Sequence, residues 1–537
     1  MPTGPGRRSL ASMPAQPPAA EGIPHEVPGV PGGTHAVLWL IATSALARIA
    51  LAAPLGLSVD ESYTVAISRH FALSYFDHPP LHVWLVGGWA RLVGSEQPLL
   101  LRLPDIVLFA VSTWFMYRLT ASLFGGRAGV WASLAFNLAP LFTLAAAGGI
   151  VPDGPLVLLS LLAVRAFAAA VLTPRSPAAA CCAMTGAGAA TGLAMLCKYT
   201  AVSLPLSLAL FLASSRPQWL KRAAPWLAAL LAALLFAPVI AWNETHRWAS
   251  FAFQGGRARG VGLDAGRMLW EALGELCYLL PWIALALLAA LWRALRRGPR
   301  EAARWLFACL AVLPLAAFAL ISLWAPVLPH WAALGWLFAM PLLGRELAAR
   351  ELAMGGRALR CAATASAVFL LCIIALFATQ ARSGWVERFA PGFAAHDPTA
   401  DFLDWQALQG VVEAAAAGRS RTTATTAAKA GSVKLGRGSF IATVSWIDAG
   451  KADYALGGAV PVLCLSDDPR QFGLMYERRS FSGRDALIVA DASRRDWLEL
   501  TAPHFGRIER GDDVVIRRAG LAALTLHTAY GYGFTGR

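Results

Sequence analysis

Residues 54–84 read PLGLSVDESYTVAISRHFALSYFDHPPLHVW and place two acidic clusters, Asp60-Glu61 and Asp77-His78, just after the first long apolar stretch of the chain. Ser58-Val59-Asp60-Glu61 has the S-x-x-E form of a capping box, and Tyr63, Ile67 and Phe71 follow at four-residue spacing, so a helix starts here. It is expected to end near Ser74, because Pro79-Pro80 breaks any helix and opens the next at Leu81. Capping accounts for Ser58 and Glu61 but leaves Asp60 as a surplus acid. A stiff turn accounts for the prolines but not for Asp77-His78. A charge within hydrocarbon costs about 2.5–3.5 kcal/mol even on lenient scales, so acids beside a membrane span are functional candidates.

Around this segment the chain is overwhelmingly apolar. Of 537 residues, 57% are hydrophobic and 15% charged, which excludes an ordinary soluble globule and fits a polytopic α-helical membrane protein. About eleven stretches have the length and character of transmembrane helices, near 36–53, 104–123, 128–147, 154–172, 180–197, 200–215, 223–242, 269–292, 303–324, 331–344 and 361–379. With residues 1–35 as a disordered, cytoplasmic Pro/Gly/Ala-rich tail, the inner connections are all basic, as the positive-inside rule requires. They include Arg118, Arg127 and the run from Arg293 to Arg304. The net charge of +14 is dispersed through these loops, which suits anionic lipid headgroups better than nucleic acid. The polar residues of unusual kind then converge on the other, outer face.

Three regions follow: the tail 1–35, a transmembrane domain 36–380 with an outer loop 54–103 carrying the acids, and a soluble domain 381–537. Hydropathy falls after about residue 381, where an Ala-rich helical part near 403–417 and strand-like runs at Ala486–Ala490 and Asp513–Ile516 indicate an α/β domain on the outer side. Seven of the eight cysteines lie in or beside spans as small apolar fillers and only Cys464 lies in the soluble domain, so no disulfide framework or Cys-type zinc site is indicated.

Further candidates lie on the outer face. Asp153, in Pro152-Asp153-Gly154-Pro155, is a helix cap or a site residue. Lys198-Tyr199 sits between two apolar runs, where a lysine either snorkels or, as a lone cation facing the acidic loops, meets a phosphate. The stretch Asn243 to Gly260 reads as an outer loop containing His246, Gln254 and Gly255-Gly256-Arg257-Ala258-Arg259. Glycines admit close approach of an anion and arginines bind phosphate through a planar fork, so phosphate is the preferred ligand of Arg257 and Arg259. Asp77, His246 and His330 are metal-ligand types, but no local spacing supports a metal, and no metal or other cofactor is assigned.

Asp60-Glu61-Ser62-Tyr63 and Asp77-His78-Pro79-Pro80-Leu81, with Arg102-Leu103-Pro104, Pro152-Asp153-Gly154-Pro155, Lys198-Tyr199, Phe253-Gln254-Gly255-Gly256-Arg257 and Pro329-His330-Trp331, resemble the bacterial branch of the type C membrane glycosyltransferases, the protein O-mannosyltransferase and aminoarabinose (lipid A) transferase group. The resemblance covers roughly residues 36–345, with weaker similarity around Gly450–Gly457 and Asp468-Pro469-Arg470-x-Phe472. It implies an inner-membrane enzyme that takes a sugar from a polyprenyl phosphate on the periplasmic side and passes it, with inversion, to a lipid, glycan or protein acceptor. It also implies Asp60 as the catalytic acid residue, with Glu61 beside it, and Asp77, His78, Lys198, Tyr199, Arg257 and Arg259 at the donor phosphate. Asp153, Gln254, His246 and His330 complete the candidate site. The lipid A branch has a lysine where this chain has His78, and a neutral imidazole is a poorer fixed cation. The alternative reading is a transporter or flippase of lipid-linked sugars, which predicts polar residues at midplane depth and paired repeats of broken helices; neither pattern is evident in the sequence.

Overall fold

The structure is a computed structural model that describes residues 32–145, 149–260, 262–417, 420–421, 432–433 and 438–537. Within the described residues, all eleven predicted stretches fall on helix. Among the described residues seven helices are long and apolar enough to cross a membrane: Gly33–Ala52, Pro98–Phe124, Asp153–Val171, Pro177–Met195, Ala223–Thr245, Ala302–Ile321 and Arg357–Ser383. An eighth span is formed if Ala265–Leu279 and Pro281–Arg300, bent by 105° at Leu280, count together. Pro281 starts the second half of that pair, and Leu280 takes a left-handed backbone at φ 65°. The other three stretches fall short of eleven full spans for local reasons. Gly126–Leu138 and Pro140–Ala145 are two short helices, Ser203–Ser215 has 13 residues, and Ala333–Met354 carries Arg345, Glu346, Arg350 and Glu351 in its second half. Ala333 to Gly344 is nonetheless buried throughout, packed against Gly126–Leu138, Ala302–Ile321 and Pro281–Arg297 as the centre of the bundle.

The C-terminal α/β part, expected from the sequence to be soluble, holds a short antiparallel pair, β1 (Ser420–Arg421) and β2 (Ser432–Val433), and a six-stranded mixed sheet. In the latter β3 (Phe440–Thr443) lies parallel between β4 (Val462–Cys464) and β5 (Ala486–Asp491). The long β8 (Leu521–Phe534) runs antiparallel to β5, β6 (Phe505–Arg510) and β7 (Val514–Arg518). β3, β4 and β5 read as apolar runs because both faces of that half-sheet are covered, and all their residues but Asp491 are buried. The helix Trp446–Ala455, capped by the Ser445 hydroxyl, crosses from β3 to β4 and turns its outer side toward the acidic segment.

That acidic segment forms two helices, Val59–Ser68 and Leu81–Val93, packed on each other. The first ends at Ser68, six residues before the expected Ser74. Arg69 turns away to bind Glu96 and Asp453, and the Tyr75 hydroxyl donates to the His70 carbonyl at 3.1 Å, closing a compact turn. Tyr63, Ala66, Ile67, Tyr75 and Val83 share one apolar core with Leu403, Trp405, Ala449, Ala452 and Phe472. The acidic helix is therefore built into the core of the soluble domain, and Gly450 makes this possible. A Cβ there would stand 3.0 Å from Tyr63 Cα.

Candidate functional site

The capping box at Ser58 forms as its sequence predicts. The Ser58 hydroxyl accepts from Glu61 N at 3.3 Å, and the Glu61 carboxylate accepts from Ser58 N at 2.7 Å. Glu61 is also the partner of buried Arg102, whose Nε and Nη2 donate to it at 2.7 and 2.6 Å, and it accepts from Ile150 N at 3.1 Å. Burial pushes its carboxyl up, but Arg102 and the two backbone N–H groups outweigh this and hold it below the ordinary value. Every lone-pair direction of Glu61 is thus committed to structure.

Asp60 is its opposite. Adjacent helix residues point about 100° apart, so when Glu61 faces Arg102 its neighbour faces out, and Asp60 is exposed. Its carboxylate makes no hydrogen bond or ion pair among the described residues. Protein crowds around it all the same, and the resulting loss of solvent, then the negative Asp77, raises its pKa. Arg470 opposes the rise, while Asp401 and Glu61 add to it.

Asp77 is buried between the two domains. One oxygen accepts from the Tyr63 hydroxyl at 3.1 Å, the other from Arg470 Nη1 at 3.3 Å, and its carbonyl accepts from Gln254 Nε2 at 2.7 Å. Gln471 completes the joint, accepting from Phe76 N at 2.8 Å and donating its own backbone N–H to Tyr63 Oη at 3.2 Å. His78 follows with Nδ1 buried and without a partner. Burial, and after it the positive Lys198, holds the imidazole down at about 3, so it is neutral at physiological pH.

Asp153 does not cap its helix. Pro152 occupies the cap position without a side-chain bond, and both Asp153 oxygens accept from Lys198 Nζ at 2.9 Å. Lys198 is accordingly not a lone or snorkelling cation but half of a buried pair. The Tyr199 hydroxyl is buried beside Ser74, Asn243 and Ser250 without a hydrogen bond of ordinary geometry. His330 lies within electrostatic reach of Lys198, Asp153 and Arg257; burial first, then Lys198, lowers it to about 4.

The stretch read as an outer loop is helical from Ala249 to Arg257. Asn243, at the end of the preceding helix, supplies the missing cap, its Oδ1 accepting from Ser250 N at 3.1 Å and Phe251 N at 3.4 Å. A Cβ on Gly255 or Gly256 would meet nothing within 4 Å, so this turn borders open space. Arg257 lies half-buried over Trp331, 4.3 Å from the ring centre, and Arg259 is exposed. His246 folds back on its own helix end, stacked on Trp242 with Nδ1 2.8 Å from the Trp242 carbonyl, and is committed there.

The structure therefore brings Asp60, Asp77, His78, Gln254 and Arg257 into one electrostatic neighbourhood, with the Asp153–Lys198 pair and His330 behind them. Tyr63, Trp446, Arg470 and Gln471 belong to it too and were not singled out as site residues from the sequence. Among the described residues no group of three His, Cys, Asp or Glu side chains is placed to hold a metal ion.

Residues 77–242 match the family described as dolichyl-phosphate-mannose-protein mannosyltransferase. No curated protein sequence matches the chain. Among solved structures, ArnT from Cupriavidus metallidurans in the apo state is similar with a TM-score of 0.61 at 15% identity, over 93% of this chain and 98% of that one. The same protein bound to undecaprenyl phosphate gives 0.62 at 16% identity, over 92% and 98%. The chain is thus a multi-pass helical membrane protein with the fold of ArnT, and its segment from Asp77 to Trp242 matches the mannosyltransferase family.

Proposed function

We propose that the chain is an inverting glycosyltransferase that moves a monosaccharide from a polyprenyl-phosphate donor to a lipid, glycan or protein acceptor on the periplasmic face of a bacterial inner membrane. The observation that carries this reading is the division of labour between two adjacent acids: Glu61 is fully bonded, while Asp60 stands exposed and unpaired within electrostatic reach of Arg470. The matched family segment and the fold shared with a protein crystallised with undecaprenyl phosphate point the same way.

In this mechanism ionised Asp60 takes the proton of an acceptor hydroxyl as its oxygen attacks the anomeric carbon, help worth about 10²- to 10⁴-fold. The bond from that carbon to the phosphate oxygen breaks on the opposite side, and the polyprenyl phosphate leaves with the electron pair. Its growing negative charge needs preorganised donors. With Lys198 neutralised by Asp153 and His78 uncharged, that work falls first on Arg257 and then on Arg259. Asp77 and Glu61 position groups and tune Asp60, and Asp153, Tyr199, Gln254 and His330 shape the donor pocket.

Mass spectrometry of envelope glycolipids and glycoproteins from a deletion strain tests the proposal. A single sugar-sized mass restored by wild type but not by Asp60→Asn, at equal membrane abundance, is expected. Full rescue by Asp60→Asn refutes the catalytic assignment.

A further inference from the structure

We propose that Arg470, contributed by the soluble domain, is a donor-positioning residue that joins Arg257 in gripping the donor phosphodiester; the inference rests on the polyprenyl-phosphate donor of the proposed function. The two arginines come from different domains but share one aromatic ring. Arg257 lies 5.5 Å and Arg470 5.4 Å from the centre of Phe253, so their guanidinium carbons are less than about 11 Å apart. Two cations held this close to one another, with Asp77 and Asp468 as the nearby acids, are a poor arrangement unless a further anion comes between them. In keeping with this, burial and then Arg470 lower the pKa of Arg257.

Arg470 is also presented in a costly way. It is a non-glycine residue at φ 49°, a left-handed conformation that an unconstrained arginine avoids. Its guanidinium carbon lies 4.1 Å from the ring centre of Trp446, and Nη1 is spent on Asp77. Nε makes no hydrogen bond but faces the half-exposed Asp468 carboxylate at 3.5 Å, and Nη2 makes no hydrogen bond among the described residues. A guanidinium binds phosphate with two parallel N–H groups, and here Nη2 is unpaired among the described residues while Nε is held only by the long contact to Asp468, which an incoming phosphate would displace. The bland alternative is that Arg470 only ties the soluble domain to Asp77.

The two are separated by binding undecaprenyl phosphate and, in parallel, undecaprenol to the purified full-length protein in nanodiscs, read by tryptophan fluorescence. Arg470→Gln is expected to bind the phosphate about ten- to a hundredfold more weakly, the range of a charge-assisted bond, with undecaprenol unchanged. Arg470→Lys, which keeps the charge but not the fork, should fall between. Arg69→Gln, which loosens the same domain interface at Asp453, should keep the wild-type preference for phosphate. Equal phosphate binding by Arg470→Gln and wild type overturns the inference, as does a loss of both lipids alike in Arg470→Gln and Arg69→Gln. If wild type itself shows no preference for the phosphate, the donor reading falls and this inference with it. Should Arg470→Gln fail to fold, Arg470→Lys decides.

Discussion

Two neighbouring acids should respond to amide substitution in opposite ways. Glu61 accepts four hydrogen bonds, two from Arg102 at 2.6 and 2.7 Å and two from backbone N–H groups, and both partners of the ion pair are only 2% exposed. Glu61→Gln keeps the shape but turns one oxygen into an NH2 that faces donors, and leaves the Arg102 charge buried with only neutral acceptors, the remaining amide oxygen and the carbonyls of Ala52, Leu55 and Gly56. Breaking one side of a buried pair costs about 3–5 kcal/mol. Because the folded-state pKa of Glu61 is depressed, the stability it contributes is full above the unfolded value and is lost as pH falls through the folded one. Asp60→Asn removes an exposed carboxylate with no partner, so stability changes by no more than about 0.5 kcal/mol. Its folded pKa is raised, so any small change should be a gain at neutral pH. Turnover should nonetheless fall about 10²- to 10⁴-fold. Thermal unfolding in nanodiscs and turnover, measured on the same preparations, give a cross-over: one variant unstable, the other stable and inactive. The reasoning is refuted if Asp60→Asn loses as much stability as Glu61→Gln, or if Glu61→Gln melts like wild type.

The raised pKa of Asp60 should place the acidic limb of the pH–kcat/KM profile above that of an ordinary carboxylate; removing the opposing cation with Arg470→Gln should move it further up, and removing the like charge with Asp77→Asn should move it down. A shift in the same direction in both variants would count against the electrostatic account. Gly450→Ala puts a methyl 3.0 Å from backbone Tyr63 Cα and should destabilise the docked domain by about 1–3 kcal/mol, seen as increased proteolysis at the junction. Lys451 is buried against the carbonyls of Leu57 and Leu403, and burial lowers its pKa to about 8. The unfolded chain then binds the extra proton between about pH 8 and the ordinary lysine value of 10.5, so stability should rise with pH across that window, and Lys451→Met should flatten the rise in a melting series.

What the sequence makes legible here is local. Apolar runs, the Ser58 capping box and the helix start at Leu81 are decided within a few residues, and all are found in the fold. Pairings across the chain were not legible. Asp153 reads equally well as a cap until Lys198, 45 residues on, is placed beside it, and nothing near Asp77 announces Arg470, 393 residues later. The Asn243 cap was missed for a related reason, since it belongs to one helix and serves the next, turning an apparent loop into Ala249–Arg257. Arg470 left one trace, its place after Pro469 in a segment already similar to the family, but similarity alone did not say which way it faced.

The position of the seam between domains explains why the acids come where they do. A short helix of ten residues has little stability of its own. Here eight of those ten are buried, several of them in an apolar core completed by the soluble domain, and the exposed Asp60 is what remains outside it. The soluble domain thus holds the proposed base in place and also supplies the cation nearest to Asp77. Detaching it would remove both functions at once, so the membrane part expressed alone should lose turnover even if its spans insert. The informative comparison is Gly450→Ala, which disturbs the joint and leaves every charged group present. If the reasoning holds, its activity loss follows the loss of docking. A Gly450→Ala protein that is undocked yet fully active would show that Asp60 and its neighbours need no support from the soluble domain.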